Sequence, residues 1–287
     1  MLNDVVNVLA CPVCGSALAP AHAALRCDAG HSFDIARQGY VNLLPGNART
    51  GTADTPEMAR SRETFLGAGH FDGLADLLAE HVASALPRGA CVLDAGAGTG
   101  HYLARVLRDT ETAVGLAIDV SKHSLRRAAR AHPRVGAVVA DLWRPLPVRT
   151  GSVDAILDVF APRNGAEFRR VLRPDGVLYV VTPTARHLGD LVPDLGLLTV
   201  DERKQERTDR SLSDHFRAYE THAYETEVEL GHDDVATLVG MGPSARHLSA
   251  DELRTRLGKL PDPVRVPISV ALSVYLPHRV DAHSEAQ

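Results

Sequence analysis

The sequence predicts an α/β fold, a Rossmann-like and mostly parallel sheet with helices on both faces, preceded by a small zinc-binding unit. Three observations carry this expectation. Short β-rich runs alternate with helical patterns from about residue 90 to residue 183. The first of those runs leads into the glycine-rich turn "VLDAGAGTG". Three of the four cysteines fall, with a histidine, inside "CPVCGSALAPAHAALRCDAGH", from Cys11 to His31. At 287 residues and 45% apolar, the chain can bury a core without disulfide staples. It has no run of about eighteen apolar residues. Its start, "MLNDVVNVLA", lacks the basic region and cleavage site of a leader. A soluble, cytoplasmic protein with no membrane contact is expected. The net charge of −5 excludes little, because a local basic surface could still meet nucleic acid.

The cysteine segment reads C-x2-C, twelve residues, then C-x3-H. Two close pairs of soft or borderline ligands on tight turns suit tetrahedral zinc, with Cys11, Cys14, Cys27 and His31 as the ligands. Gly15 and Gly30 each lie beside a ligand, where the backbone must fold closely round a thiolate. Four protein ligands leave no position for a catalytic water, so the single ion per chain is structural. A cytosolic setting disfavours a disulfide here. Cys91 stands in an apolar run and reads as a core residue.

A Gly/Pro/Thr/Asn-rich stretch, "PGNARTGTADTP", marks a linker near residues 45–56. After it come an amphipathic helix, "FDGLADLLAEHVASAL", and strands expected at 90–94, 113–118, 135–140, 153–158 and 176–182. Helices are expected at 99–108, 121–131 and 164–172, and "VPISVALSVYLP" reads as a final strand. "SKHSLRRAARAHPR" has a lysine, four arginines and two histidines without an acid, as either a solvated helix face or a nucleic-acid surface. Residues 200–220 mix both charge signs and read as an exposed helical connection.

The glycine turn follows a strand and opens a helix, which places a ligand over the strand's carboxyl end. A dinucleotide fingerprint fails here: from Gly96 it meets His101, and from Gly98 it meets Leu103. Asp94, directly before the turn, would repel a pyrophosphate but would receive the ammonium of an amino acid. Asp119 ends the second strand, nineteen residues past Gly100, where a carboxylate takes both ribose hydroxyls. A sulfonium nucleoside with an amino-acid tail satisfies both acids. The segment resembles the class I S-adenosylmethionine-dependent methyltransferase pattern D-x-G-x-G-x-G, here Asp94, Gly96, Gly98 and Gly100, plus a ribose-binding acid. In that family the position of Asp141, after the third strand, often contacts the adenine. At the end of the fourth strand, Phe160 and Pro162 would line a slot for a planar base splayed from its stack.

The zinc ligands, "FDIARQGYVNLLP", "FLGAGHF", "VLDAGAGTG", "VFAP" and "TPTARHLGDL" occur together. With them the chain resembles the bacterial 23S rRNA guanine-N1 methyltransferases over residues 1 to about 190. The resemblance implies methylation of N1 of one guanine in a 23S rRNA hairpin loop, with S-adenosylmethionine as cofactor. It further implies cofactor contacts at Phe71, where the family commonly has tyrosine, and at Thr99, Gly100 and His187. A homodimer straddling an RNA stem would fit. One branch of the family protects antibiotic producers by modifying the macrolide-binding region of the ribosome. The implied organisation is a zinc-binding RNA-recognition module over 1–45, a linker and connecting helix over 46–70, and a methyltransferase domain over 71–287. Guanine N1 carries a proton at neutral pH, so transfer needs a proton acceptor, and Asp158 is the candidate base by position. Two other readings stay open: methylation of a small molecule or protein, and a catalytically inactive zinc-dependent RNA-binding protein.

Overall fold

The computed structural model describes all residues except 1, 47, 49–50, 52, 190, 198–211 and 279–287. In chain order the main elements are α1 (Leu2–Val5), β1 (Ala19–Ala21), β2 (Ala24–Arg26), β3 (Ser32–Asp34), β4 (Tyr40–Asn42), α2 (Pro56–Gly67) and α3 (Asp72–Ala85). The central units follow: β5 (Cys91–Ala95), α4 (His101–Arg108), β6 (Val114–Asp119), α5 (Lys122–Ala131), β7 (Val135–Val139), β8 (Val153–Val159), α6 (Gly165–Val171) and β9 (Leu172–Pro183). The last part holds α7 (Leu191–Leu195), β10 (Phe216–Leu230), α8 (His232–Met241), α9 (Ala250–Leu257) and β11 (Val264–Pro277).

β1, β2 and β3 form a small antiparallel sheet, and the other eight strands form one sheet in the order β10-β11-β9-β8-β5-β6-β7-β4. From β9 to β4 every neighbour is parallel, while β11 and β10 add antiparallel strands at the far edge. Chain order reverses between β5 and β8, which opens a crevice at their carboxyl ends.

Period-two alternation builds a core on each face. Val92, Ala117, Ala137, Leu157 and Val181 point to the side covered by α3, α4 and α5. Leu93, Leu116, Val138, Ile156 and Val180 point to the other, where α6 supplies the fully buried Phe168. α4 starts at His101, two residues later than expected, because Gly98 and Gly100 keep the chain in a left-handed turn at φ 52° and 79°. Residues 216–220 are the start of β10 and not part of a helical connection, because they pair antiparallel with β11. Of the remainder of that expected connection, residues 200–211 lie outside the described residues.

The amino-terminal segment is embedded in this sheet. Leu2, Val5, Val8 and Leu9 share one buried cluster with Leu116, Ile118 and Val138. The Ala10 amide donates to the Pro147 carbonyl at 2.9 Å. β4 becomes the eighth strand, parallel to β7, with Val41 opposite Val138. Among the described strands only the short β1–β3 stand outside the large sheet, so the expected boundary at residue 45 falls just after a strand of that sheet.

Leu9→Ala is expected to lower the stability of the whole chain by roughly 2–5 kcal/mol, the cost of emptying a fully buried leucine site. Denaturant unfolding followed at the large sheet would show it. An unchanged main transition accompanied by metal loss would contradict the shared core.

Candidate active site

The site lies over the carboxyl ends of β5 and β8. Gly96, Gly98 and Gly100 all adopt positive φ, which a side chain would strain. A Cβ at Gly96 would stand 2.5 Å from that of Ala161, and one at Gly100 would stand 3.0 Å from the Cα of Ala128. The first contact would close the turn against the end of β8, and the second would force α4 away from α5. Asp119 pins this turn: its Oδ2 accepts the Gly98 amide at 2.9 Å and its Oδ1 accepts the Ser121 amide at 2.7 Å. Each oxygen keeps a lone pair for a further donor.

A narrow cleft follows, walled by Arg62, Leu66, Phe71, Asp94, Phe160 and Met241 among others. Gly96, Gly98 and Thr99 line it; Gly100 caps α4. Asp94 is 2% exposed, and its Oδ2 has no hydrogen-bond partner. Burial pushes its carboxyl up to about 8, with the charge of Asp119 adding to the effect. Burial also raises Asp119, opposed by the amides of Ser121 and Gly98.

An aromatic wall closes one side. Phe71 stands edge-on to Phe65 at 5.2 Å and to His187 at 6.2 Å, and Phe160 stacks on His187 at 5.8 Å. His187 Nδ1 accepts the Ser269 amide at 3.3 Å, and burial pushes its pKa down to about 4, so the ring is neutral with its proton on Nε2. Phe160 has φ 55°, a conformation unfavourable for a large side chain, and is held by its amide donating to the Val181 carbonyl at 3.1 Å. Pro162 is exposed just beyond it.

Of the residues expected at this site, Gly100, Asp119, Asp141, Asp158, Pro162 and His187 are not among those lining the cleft. Asp158 has no exposed surface and does not line the cleft; it pairs with the buried Arg163 at 3.4 Å. Burial raises its carboxyl well above the usual range, with Arg163 opposing. β8 turns Leu157 and Val159 towards the α3 side of the sheet and Asp158 away from it, so the carboxyl sits behind the turn and not at its mouth. Its ion pair with Arg163 spans the Phe160–Arg163 turn. Asp141 caps its own turn, accepting the Trp143 amide at 3.0 Å, and does not line the cleft.

Sequence reasoning missed Arg62 and Asp54. Arg62 Nε donates to Asp54 Oδ2 at 3.1 Å, and its Nη2 donates to the Met241 carbonyl at 2.8 Å. The Asp54 carbonyl in turn accepts Ser121 Oγ at 2.7 Å. The connecting helix α2 thereby closes over the glycine turn. No local motif announces this contact, because Asp54 and Ser121 are 67 residues apart.

In the amino-terminal ribbon the donor atoms of Cys11, Cys14, Cys27 and His31 all lie within 4.8 Å of one another. Cys14 Sγ is 3.7 Å from Cys27 Sγ, and His31 Nδ1 is 3.6 and 3.3 Å from the sulfurs of Cys11 and Cys27. A tetrahedron with metal–sulfur bonds of ~2.3 Å and metal–nitrogen bonds of ~2.0 Å has edges of roughly 3.5–3.8 Å. The donors therefore fit a structural zinc ion. Gly15 and Gly30, at φ 72° and 83°, form the two ligand turns.

The sign of the Asp94 shift gives a pH dependence. Its raised carboxyl favours the folded apo chain while neutral, and this contribution fades as pH rises towards about 8. A cationic ligand head prefers the carboxylate. Cofactor binding at pH 7 is expected to release a proton, and its thermal stabilisation is expected to grow from pH 6 to pH 8. Calorimetry in buffers of different ionisation enthalpy measures the proton, and Asp94→Asn should abolish it.

Two family models match the chain. One, described as "RlmA, N-terminal", is a zinc ribbon over residues 9–51, and the other is a methyltransferase domain over residues 92–176. The chain is 52% identical, over 96% of its length and 100% of the relative's, to a Micromonospora griseorubida protein provisionally named a 23S rRNA (guanine-N(1)-)-methyltransferase. It is 47% identical, over 96% of its length and 99% of the relative's, to the 23S rRNA (guanine(748)-N(1))-methyltransferase of Streptomyces fradiae. With that coverage, and with the ribbon and the glycine-turn cleft in a single chain, it belongs to the 23S rRNA (guanine-N1)-methyltransferase family.

Proposed function

We propose that the protein transfers a methyl group from S-adenosylmethionine to N1 of a guanine in a hairpin loop of 23S rRNA. Identity of 47–52% along almost the whole chain to proteins named for that reaction carries the reading. The name of the Streptomyces fradiae relative makes the guanine equivalent to 748 the first candidate target. A role in macrolide tolerance and a homodimer belong to the same proposal. No described helix is long and apolar enough to cross a membrane.

The cofactor supplies an electrophilic methyl group that needs no further activation. The remaining work is alignment and removal of the N1 proton, and alignment alone can remove several kcal/mol of barrier. Asp119 offers its two free lone pairs to ribose hydroxyls. Asp94 receives the ammonium of the amino-acid tail, and Arg62, on the facing helix, receives its carboxylate. Thr99 borders the same cleft. Phe160, Pro162 and His187 present the flat surface against which a guanine is positioned. Asp158 acts as a positioning residue through Arg163.

An unmodified transcript of 23S rRNA incubated with labelled cofactor should become methylated and stop primer extension at one guanine, because N1-methylguanine cannot form its Watson–Crick pair. Methyl transfer to a metabolite and not to RNA would overturn the proposal. Arg62→Ala should weaken S-adenosylhomocysteine by about 1.5–3 kcal/mol, the worth of a hydrogen bond to a charged group. Binding of 5′-methylthioadenosine, which has no amino-acid tail, should be unchanged. Asp158→Asn should slow single-turnover methylation evenly across pH, whereas loss of a pH-dependent limb would identify Asp158 as the base.

A further inference from the structure

Among the described residues four large hydrophobic side chains are exposed: Val13 (64%), Trp143 (67%), Phe160 (40%) and Tyr219 (58%). Three of them lie on segments that are tied to one another. Val13 sits on the first ligand turn of the ribbon and borders a groove shared with residues 145–150. Trp143 begins the turn that leads into those residues. The Phe160 turn reaches the Trp143 turn through Asn164, whose Nδ2 donates to the Leu142 carbonyl at 2.9 Å. Tyr219 lies apart, on the edge strand β10.

The exposure of Trp143 is built in. Its amide donates to Asp141 Oδ1 at 3.0 Å, the Arg144 amide donates to the Asp141 carbonyl at 3.1 Å, and the Leu146 amide donates to Glu167 Oε2 at 2.6 Å. The same turn buries Leu142 to 6% and Leu146 to 4% exposure. A pinned turn that hides two leucines and presents an indole has its largest apolar surface facing out. Such a surface is stabilised by a partner with a flat apolar face.

We infer that Trp143 stacks on an unpaired base of the RNA loop that carries the target guanine, with Val13 of the ribbon and Phe160 of the cleft flanking the same loop. This rests on the RNA-methylation reading above. Loop bases are unstacked and free to seat on an aromatic face, whereas paired bases in an A-form stem are not. The inference gives the ribbon a specific task. It places one edge of an apolar strip whose other edge is the cleft.

Trp143 is the sole tryptophan of the 287 residues, so its emission reports directly on this contact. The 23S rRNA hairpin bearing the methylated guanine, as an unmodified transcript, would be titrated into the full chain with S-adenosylhomocysteine bound. Quenching of Trp143 is expected with the hairpin, and none with a fully paired duplex of the same stem. Trp143→Ala should weaken hairpin binding about 5- to 150-fold, the range for loss of one base stack. Trp143→Phe should recover most of it, and both should bind S-adenosylhomocysteine as the wild type does. Tight hairpin binding without quenching, or equal affinity in Trp143→Ala, would overturn the inference while leaving the methylation reading intact. A change of mass in light scattering for Trp143→Ala, with RNA affinity unaltered, would overturn it in favour of a second copy of the chain. Absence of any RNA binding or methylation by the wild type would defeat the underlying reading itself.

Discussion

A single carboxylate organises the ligand end of this molecule. Asp119 accepts one amide from the glycine turn and one from the first turn of α5, at 2.9 and 2.7 Å, and so ties the ends of β5 and β6 into one rigid lip. The three left-handed glycines make that geometry attainable, and the carboxylate satisfies the Gly98 amide, while those of Gly96, Ala97 and Gly100 go to backbone carbonyls. Ser121 then carries the constraint outward, because its hydroxyl holds the Asp54 carbonyl and brings Arg62 over the cleft. The roof of the site is thus set by the same residue that sets its floor.

The electrostatics of this lip are unbalanced without a ligand. The charge of Asp119 helps to hold Asp94 protonated, and Arg62, the only Lys or Arg among the described residues lining the cleft, is already shared with Asp54. Placing two acids where the strand ends converge, away from water, creates a demand for positive charge. A sulfonium nucleoside with an ammonium tail answers that demand, while a pyrophosphate would aggravate it. The opposite side of the cleft is neutral and flat: burial keeps His187 uncharged at ordinary pH, and the rings of Phe71 and Phe160 flank it. Charge selects the cofactor, and uncharged surface is left for the base.

The central strands and the metal ligands were legible because each has a local signature. Val92 and Leu93 sit in an apolar run bounded by a glycine turn, and two ligand pairs have the spacing of a zinc ribbon. The features that were not legible depend on contacts far apart in sequence or on parity. β8 alternates, with Asp154 and Asp158 on the face opposite Ala155, Leu157 and Val159, but this parity alone does not say which face meets the cleft. The left-handed backbone of Phe160 has no glycine to announce it. Arg62 lies in a helix whose periodicity reveals only packing. The start of β10 was obscured because residues 216–220 close a run of mixed charge that reads as an exposed helix.

β4 changes how the amino-terminal ribbon should be understood as a unit of inheritance. A ribbon joined only by a flexible tether could be exchanged, duplicated or lost like a cassette. Here the residues before it fill the back of β6 and β7, and the residues after it close the sheet's edge beside β7. Removing the ribbon by truncation would strip an edge strand and expose the apolar face beneath α1, leaving a template for association with other chains. Ribbon and methyltransferase sheet therefore share one core, so a substitution that unsettles the flanks of one is felt in the other.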